Sequence, residues 1–282
     1  MIINRKEAIE LLKIPEKNFD NYFKNSCEII GFKNRGRWYF NRDQLLEWDN
    51  LRKERTVRLT LNEYETCFDF AIKMAYSTRS SHGTGIRGSR SEVQMADDFI
   101  LGILAEHGVQ KFLKEKFDVE IILDLDVHPD HITAQDFDGI CDDGVKRVVK
   151  LGVAVKASKM KSCFNIIPPI EYENEDRKSD IYIFVRVGLP SDHLFRILRD
   201  HSFFKGVADF LDEEEGFREI EELTDIPIWI CGFSYHDELE RVTEIPGQSF
   251  SDERAKIKHR YVKNVSEMHN SDEDWRDLIE KL

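Results

Sequence analysis

The chain reads as a mixed α/β (α+β) protein: a mixed sheet flanked by helices, preceded by a small N-terminal module. Three observations lead there. The runs DIYIFVRVGL and IPIWICGFS are short, β-branched and almost continuously apolar, the pattern of strands covered on both faces. A long helical periodicity runs from Glu92 to about Lys116, with Val93, Ala96, Phe99, Ile100, Ile103 and Leu104 as its apolar stripe. The first 55 or so residues differ from the rest in charge and in element length.

The N-terminal elements follow in order. Lys6–Lys13 is a short amphipathic helix, with Ala8, Ile9, Leu11 and Leu12 on its apolar side. The break IPEK puts Pro15 in the first turn of the next helix, where a missing N–H is harmless. That helix carries Phe19, Tyr22 and Phe23 at helical spacing. GFKNRGRWYF predicts two strands around Asn34-Arg35-Gly36, and Arg42–Lys53 a third helix with Leu45, Leu46 and Trp48. Residues 54–76 predict a strand (VRLTL) and a helix (NEYETCFDFAIKMAY). STRSSHGTGIRGSRS at 77–91, with Arg79, Arg87 and Arg90, is a basic Ser/Gly-rich loop: a plain linker or a clamp on a polyanion backbone.

The body continues with VEIILDLDV as a β run and HPDHITAQ as an irregular connection. Residues 136–161, DFDGICDDGVKRVVKLGVAVKASKMK, predict a hairpin: FDGIC and VVKLGVAV as arms, turned at Asp142-Asp143-Gly144. Residues 191–223 predict a helical insertion that opens basic (Arg196, Arg199, Lys205) and ends acidic. DEDWRDLIEKL predicts a last helix. The boundaries are therefore 1–55, a connector with the basic loop at 56–90, and a body at 91–282.

Composition narrows the classes. The net charge is −13, with 41 Lys+Arg against 54 Asp+Glu, which argues against a simple polyanion binder. The excess is uneven: residues 1–60 hold 13 Lys+Arg against 9 Asp+Glu, so the remainder carries −17. No apolar run approaches the ~20 residues of a membrane helix, and the start lacks a signal-peptide core. Five scattered cysteines without a CxxC pair predict reduced thiols in a cytoplasmic setting, not a zinc site. His128, His131 and His201 lack metal-like pairing and read as structural or surface groups.

The hairpin carries the chemistry. Asp136 and Asp138 sit on its first arm. Lys156 sits in a run too apolar for an idle charge. Carboxylates that hold a divalent cation beside a phosphate, with a cation to stabilise developing charge, are the elements of metal-dependent phosphodiester hydrolysis. Ordinary strand-edge solvation of the two aspartates and a snorkelling Lys156 are the bland readings.

Two resemblances follow from these residues. EAIELLKI, a second helix after a short turn, and GRWYFNRDQLLEW resemble the winged helix-turn-helix of the excisionase and MerR-like group. That resemblance implies a second helix in the major groove, with Lys17, Asn18, Asn21 and Lys24 as contacts, and wing residues Lys33, Arg35 and Arg37 along phosphates. The order helix, strand, acidic hairpin, VAVKASK, SDIYIFVRV and IWICGF resembles the PD-(D/E)XK nuclease superfamily, type II restriction endonucleases in particular. It implies a restriction-endonuclease-like body, Mg²⁺ as cofactor, double-stranded DNA as substrate and a homodimer that cuts both strands.

Carried over residue by residue, Asp138 is the metal-binding acid with Asp136 as runner-up and Asp130 a poorer third. Lys156 is the catalytic lysine, and Glu92 the glutamate of the preceding helix. Its place in the first helical turn also explains Glu92 without any catalysis. Ser158, Lys159, Lys161 and Asn165 follow the strand toward phosphate or bases; a solvated basic end is the alternative, and Arg87 and Arg90 of the loop join the DNA contacts. The chain departs from the family at Ala154, where the pattern has Asp or Glu as a further metal ligand. Three explanations compete, taken in this order: an Asp-to-Ala change introduced to trap an uncut complex, an acid relocated to Glu171 or Glu173, and natural loss of catalysis. The rival functions are a non-catalytic helix-turn-helix regulator and a repair or structure-specific nuclease.

Overall fold

The computed structural model describes residues 1–76, 91–123, 136–142, 144–250 and 258–282. The elements in order are β1 (Ile2–Asn4), α1 (Arg5–Leu12), α2 (Glu16–Lys24), β2 (Gly31–Asn34), β3 (Arg37–Asn41), α3 (Arg42–Glu54), β4 (Thr56–Leu59), α4 (Leu61–Tyr76) and α5 (Glu92–Phe117). Then come β5 (Glu120–Leu123), β6 (Phe137–Asp142), β7 (Val145–Arg147), β8 (Val153–Lys159), β9 (Phe164–Ile167), α6 (Pro169–Tyr172), β10 (Ile181–Val187), α7 (His193–Ile197) and α8 (Ser202–Glu213). The chain ends with β11 (Ile226–Tyr235), β12 (Glu240–Val242), β13 (Glu244–Ile245), β14 (Gln248–Ser249), β15 (Arg260–Asn264) and α9 (Asp272–Lys281). The class is mixed α and β, as the apolar runs and periodicities predict. No helix among the described residues is long and apolar enough to cross a membrane.

The centre is a four-stranded sheet of order β4-β11-β10-β8. β10 pairs antiparallel with β11 and parallel with β8, so the sheet is mixed. All seven residues of β10 are buried. Alternation then divides them. Ile181, Ile183, Val185 and Val187 join a core with α4, α5 and Trp275 of α9, while Phe184 on the other face joins residues of the N-terminal module. Both faces are covered, which is why the strand reads as a continuous apolar run. The β10–β11 ladder slips between Phe184 and Val185, leaving Cys231 as an extra residue beside Gly232. Gly232 has φ +139°, and a Cβ there would meet the His269 carbonyl at 2.6 Å, so only glycine fits this bulge.

The N-terminal module folds as β1-α1-α2-β2-β3-α3 with a three-stranded sheet of order β1-β3-β2. Asn4 caps α1 in a capping box with Glu7. Arg35 and Gly36 both take left-handed φ, +48° and +79°, at the tight turn between β2 and β3. The module's core residues Ala8, Leu12, Phe19, Tyr22, Phe23, Phe40 and Leu45 form one cluster with Phe184, Trp229 and Cys231 of the main sheet. Its packing is thus continuous with the body. β4, in the segment read as a connector, is a strand of the main sheet.

Two expectations need correction. The hairpin is shorter than predicted: β6 pairs with β7, in a three-stranded sheet of order β5-β6-β7, while β8 lies in the main sheet beside β10. Residues 148–152 belong to neither ladder, and of the second apolar run only residues 153–155 enter a sheet, as the start of β8. Val93, in the first turn of α5, is 62% exposed, whereas Ala96, Ile100, Ile103 and Leu104 are buried.

Candidate functional site

β8 carries the residues that the sequence singles out. Val153 and Val155 point into the helix-covered core, and Ala154 packs on the opposite face with Ile167, Tyr182 and Leu239. Lys156, two residues on, shares the Ala154 face by strand alternation. It is half-buried. Its ammonium forms an ion pair with Glu171, with the two side chains 27% and 25% exposed.

Asp136 holds the free edge of β8. Its N–H donates to the Val153 carbonyl at 3.0 Å, and its Oδ2 accepts the Val155 N–H at 2.6 Å. A charged acceptor on a strand edge satisfies a donor that no neighbouring strand takes. Asp138 is exposed on β6. The structure thus brings Asp136, Lys156 and Glu171 to residues 155–156 of one strand. Asp136, the runner-up of the two hairpin acids, is the one in contact with β8.

Glu171 owes its place to α6. This short helix is clamped by Tyr172, whose ring lies between His236 (centroids 3.9 Å, 12°) and Tyr261 (3.6 Å, 11°). The Tyr172 hydroxyl donates to the His236 carbonyl at 2.9 Å. Glu173, the other relocated-acid candidate, points elsewhere: it accepts from Tyr261 Oη at 2.8 Å and lies 3.0 Å from His259 Nε2. Those two contacts, Tyr261 first, hold its carboxyl below the ordinary range. Tyr182 lies across the ladder from Ala154, and burial pushes its phenol up to about 12.

Ala154 is 2% exposed, and its buried neighbours are apolar apart from the Tyr182 hydroxyl. The surroundings are those of a small core residue. Among the described residues no group of three or more His, Cys, Asp or Glu is arranged to hold a metal ion. Two carboxylates, Asp136 and Glu171, do reach the strand beside Lys156. Mg²⁺ commonly uses one or two protein carboxylates and keeps water in its other positions. Here Asp136 Oδ2 accepts from the Val155 N–H and Glu171 is paired with Lys156.

The predicted nucleic-acid contacts fall into three groups. The wing residues Lys33, Arg35 and Arg37 are exposed, and Lys33 lies 5.2 Å over the Trp38 ring. On α2, Lys17 is exposed and Lys24 is paired with Asp20 at 3.0 Å. Asn18 and Asn21 are half-buried, and Asn21 is engaged within the chain: its Nδ2 donates to the Lys161 carbonyl at 3.0 Å. After β8, Lys159 and Lys161 are exposed, whereas Ser158 Oγ is engaged with Ser162 Oγ at 2.5 Å. Asn165 is fully buried, which removes it from any surface. The predicted reader helix and the end of the predicted catalytic strand, far apart in the chain, therefore meet. Arg79, Arg87, Arg90, Asp130, His128 and His131 lie outside the described residues, as does the Glu92 side chain.

The joint has a centre that the motif reading missed. Arg186 of β10 is fully buried, with its guanidinium 4.3 Å from the Trp229 ring centroid and 4.6 Å from that of Tyr22. It forks onto Glu28 at 2.9 and 2.7 Å and donates to the Ser162 carbonyl at 2.6 Å. One side chain ties α2, the turn after it, the loop after β8 and the sheet together. The signal lay in IYIFVRV: an arginine in a strand buried on both faces needs a carboxylate partner.

No family model, curated protein or solved structure matches this chain.

Proposed function

We propose that the protein is a Mg²⁺-dependent, sequence-specific endonuclease of double-stranded DNA, with its N-terminal winged module positioning the duplex over β8. The observation that carries this reading is the gathering of Asp136, Lys156 and Glu171 at residues 155–156 of β8. In it, Glu171 takes the part of the acid that Ala154 lacks. The buried, largely apolar setting of Ala154 favours relocation over a lost carboxylate at that site.

Each residue then has a task. Asp136 and Glu171 would hold Mg²⁺, which when bound supplies charge neutralisation at the scissile phosphate and an acidified water. Lys156 would donate to a phosphate oxygen and stabilise the developing charge. The Tyr172 stack keeps Glu171 within reach. Lys159 and Lys161, beside α2, and the wing residues Lys33, Arg35 and Arg37 contact the backbone without reading sequence. Cutting both strands with one site per chain calls for two copies.

Plasmid digestion with Mg²⁺ tests the reading. Discrete fragments from the protein, lost in Lys156→Ala and in Glu171→Gln, are expected. Tight binding of a specific site with no cleavage under any condition would instead establish the helix-turn-helix regulator.

A further inference from the structure

Helix α8 presents an apolar surface that the described residues leave exposed. Phe203, Val207 and Phe210, spaced i, i+4, i+7, are 77%, 54% and 52% exposed. Its inner side is held by buried Ala208. Ring contacts extend the patch: Phe204 meets Phe195 at 6.2 Å and Phe203 at 5.0 Å, and Phe210 meets Phe217 at 5.9 Å. Phe195 and Phe217 are themselves exposed. A group of large exposed side chains of this kind marks an interaction site more often than it marks chance exposure.

Gly206 sits within the stripe, and a Cβ there would meet nothing within 4 Å. Glycine inside a helix costs about 1 kcal/mol relative to alanine, and packing among the described residues does not require it. A bare backbone at that point suits close approach by a second helix.

Charge identifies the kind of helix. Arg196 is paired with Asp192 and Glu221, and Arg199 with Asp212, so the basic start of this segment is neutralised internally. Lys205 lies about 200° around the helix from Phe203. The rim of the stripe instead carries Glu213, with Asp209 further round beside Lys205 and Glu214 and Glu215 just beyond the helix end, all exposed. Two copies meeting here would set these acidic rims against each other, which disfavours self-pairing. The geometry points to α8 as the docking site for a basic amphipathic helix of a partner protein, its apolar side laid on Phe203, Gly206, Val207 and Phe210 and its lysines or arginines against Asp209, Glu213, Glu214 and Glu215. This is independent of whether β8 cuts DNA.

The probe is a pair of labelled helical peptides with one leucine stripe, flanked by lysine in the first and glutamate in the second, titrated with the full-length protein by fluorescence anisotropy. The Leu/Lys peptide is expected to bind, more weakly as salt rises. Phe203→Ser with Phe210→Ser should lower its affinity at least tenfold. So should Gly206→Leu, which fills the contact point and leaves the thermal midpoint unlowered. Asp209→Asn with Glu213→Gln should weaken it several-fold. Equal binding of the Leu/Glu peptide, no binding of either, or affinity unmoved by the phenylalanine pair would overturn the proposal. Concentration-dependent dimers of the protein alone, abolished by Phe203→Ser, would make the occupant a second copy and overturn it as well.

Discussion

Ala154→Asp is the substitution that separates the readings of β8. The alanine is 2% exposed, packed with Ile167, Tyr182 and Leu239. An ionised carboxylate moved there loses most of its hydration, an effective penalty of several kcal/mol. The extra atoms add about 1–3 kcal/mol of overpacking. Lys156 lies two residues along the same strand face, about 6.6 Å away at ~3.3 Å per residue. At an effective dielectric near 20 its attraction offsets roughly 2.5 kcal/mol, and it is already shared with Glu171. The expected net loss at neutral pH is about 2–4 kcal/mol. The introduced acid has a raised folded-state pKa, so the electrostatic part is absent below its unfolded pKa near 3.9 and grows as pH rises through the folded value. Urea unfolding of both proteins at pH 4 and pH 7, with and without Mg²⁺, measures this. A variant within about 0.5 kcal/mol of the parent at pH 7, the range of a neutral surface change, would refute the reasoning. So would Mg²⁺ stabilising the variant and leaving the parent unmoved, since position 154 would then be a metal-binding acid and Glu171 would lose its role.

Further outcomes follow from the same interactions. Tyr172→Ala removes the ring between His236 and Tyr261; cleavage should drop about tenfold or more while DNA affinity holds, and loss of binding in a gel-shift series would contradict the positioning role. Glu28→Gln strips the buried Arg186 of its counter-charge, and calorimetry should show a loss of about 3–5 kcal/mol, unlike the surface substitution Lys6→Gln. Asp272 is held below its usual range by its hydrogen bond to buried Arg55, then by Lys116. Its stabilisation is complete above the unfolded pKa and disappears as pH falls through the folded one; Asp272→Asn should therefore flatten the acid limb of the stability curve, and an unchanged limb would count against it. Lys33→Ala, Arg35→Ala and Arg37→Ala together should reduce the salt slope of DNA binding by about 3, one for each phosphate that is no longer neutralised, with the thermal midpoint unmoved.

Local patterns in the sequence determine most elements, because helix period, capping and apolar alternation are short-range properties. The stripe of α5 from Ala96 onward, the apolar strands β10 and β11, and the Arg35-Gly36 turn are all legible in the order of residues. Lys156 is conspicuous for the same reason: a charge in an apolar run must be paired or used. What the sequence could not supply is which partner each charge finds. Asp136 and Asp138 are equivalent by spacing, and only the path of the chain past β8 puts Asp136 on the Val155 amide. Glu171 and Glu173 lie two residues apart; the Tyr172 stack turns one to Lys156 and leaves the other with Tyr261 and His259. That only residues 153–155 of the second apolar run enter a sheet was hidden because an apolar run does not show which neighbour each of its residues meets. The joint of α2 with the loop after β8, held by Arg186 and Glu28, was hidden because sequence separation carries no information about a long-range pairing. Local propensity set the pieces, and long-range pairing of buried charge decided how they meet at β8.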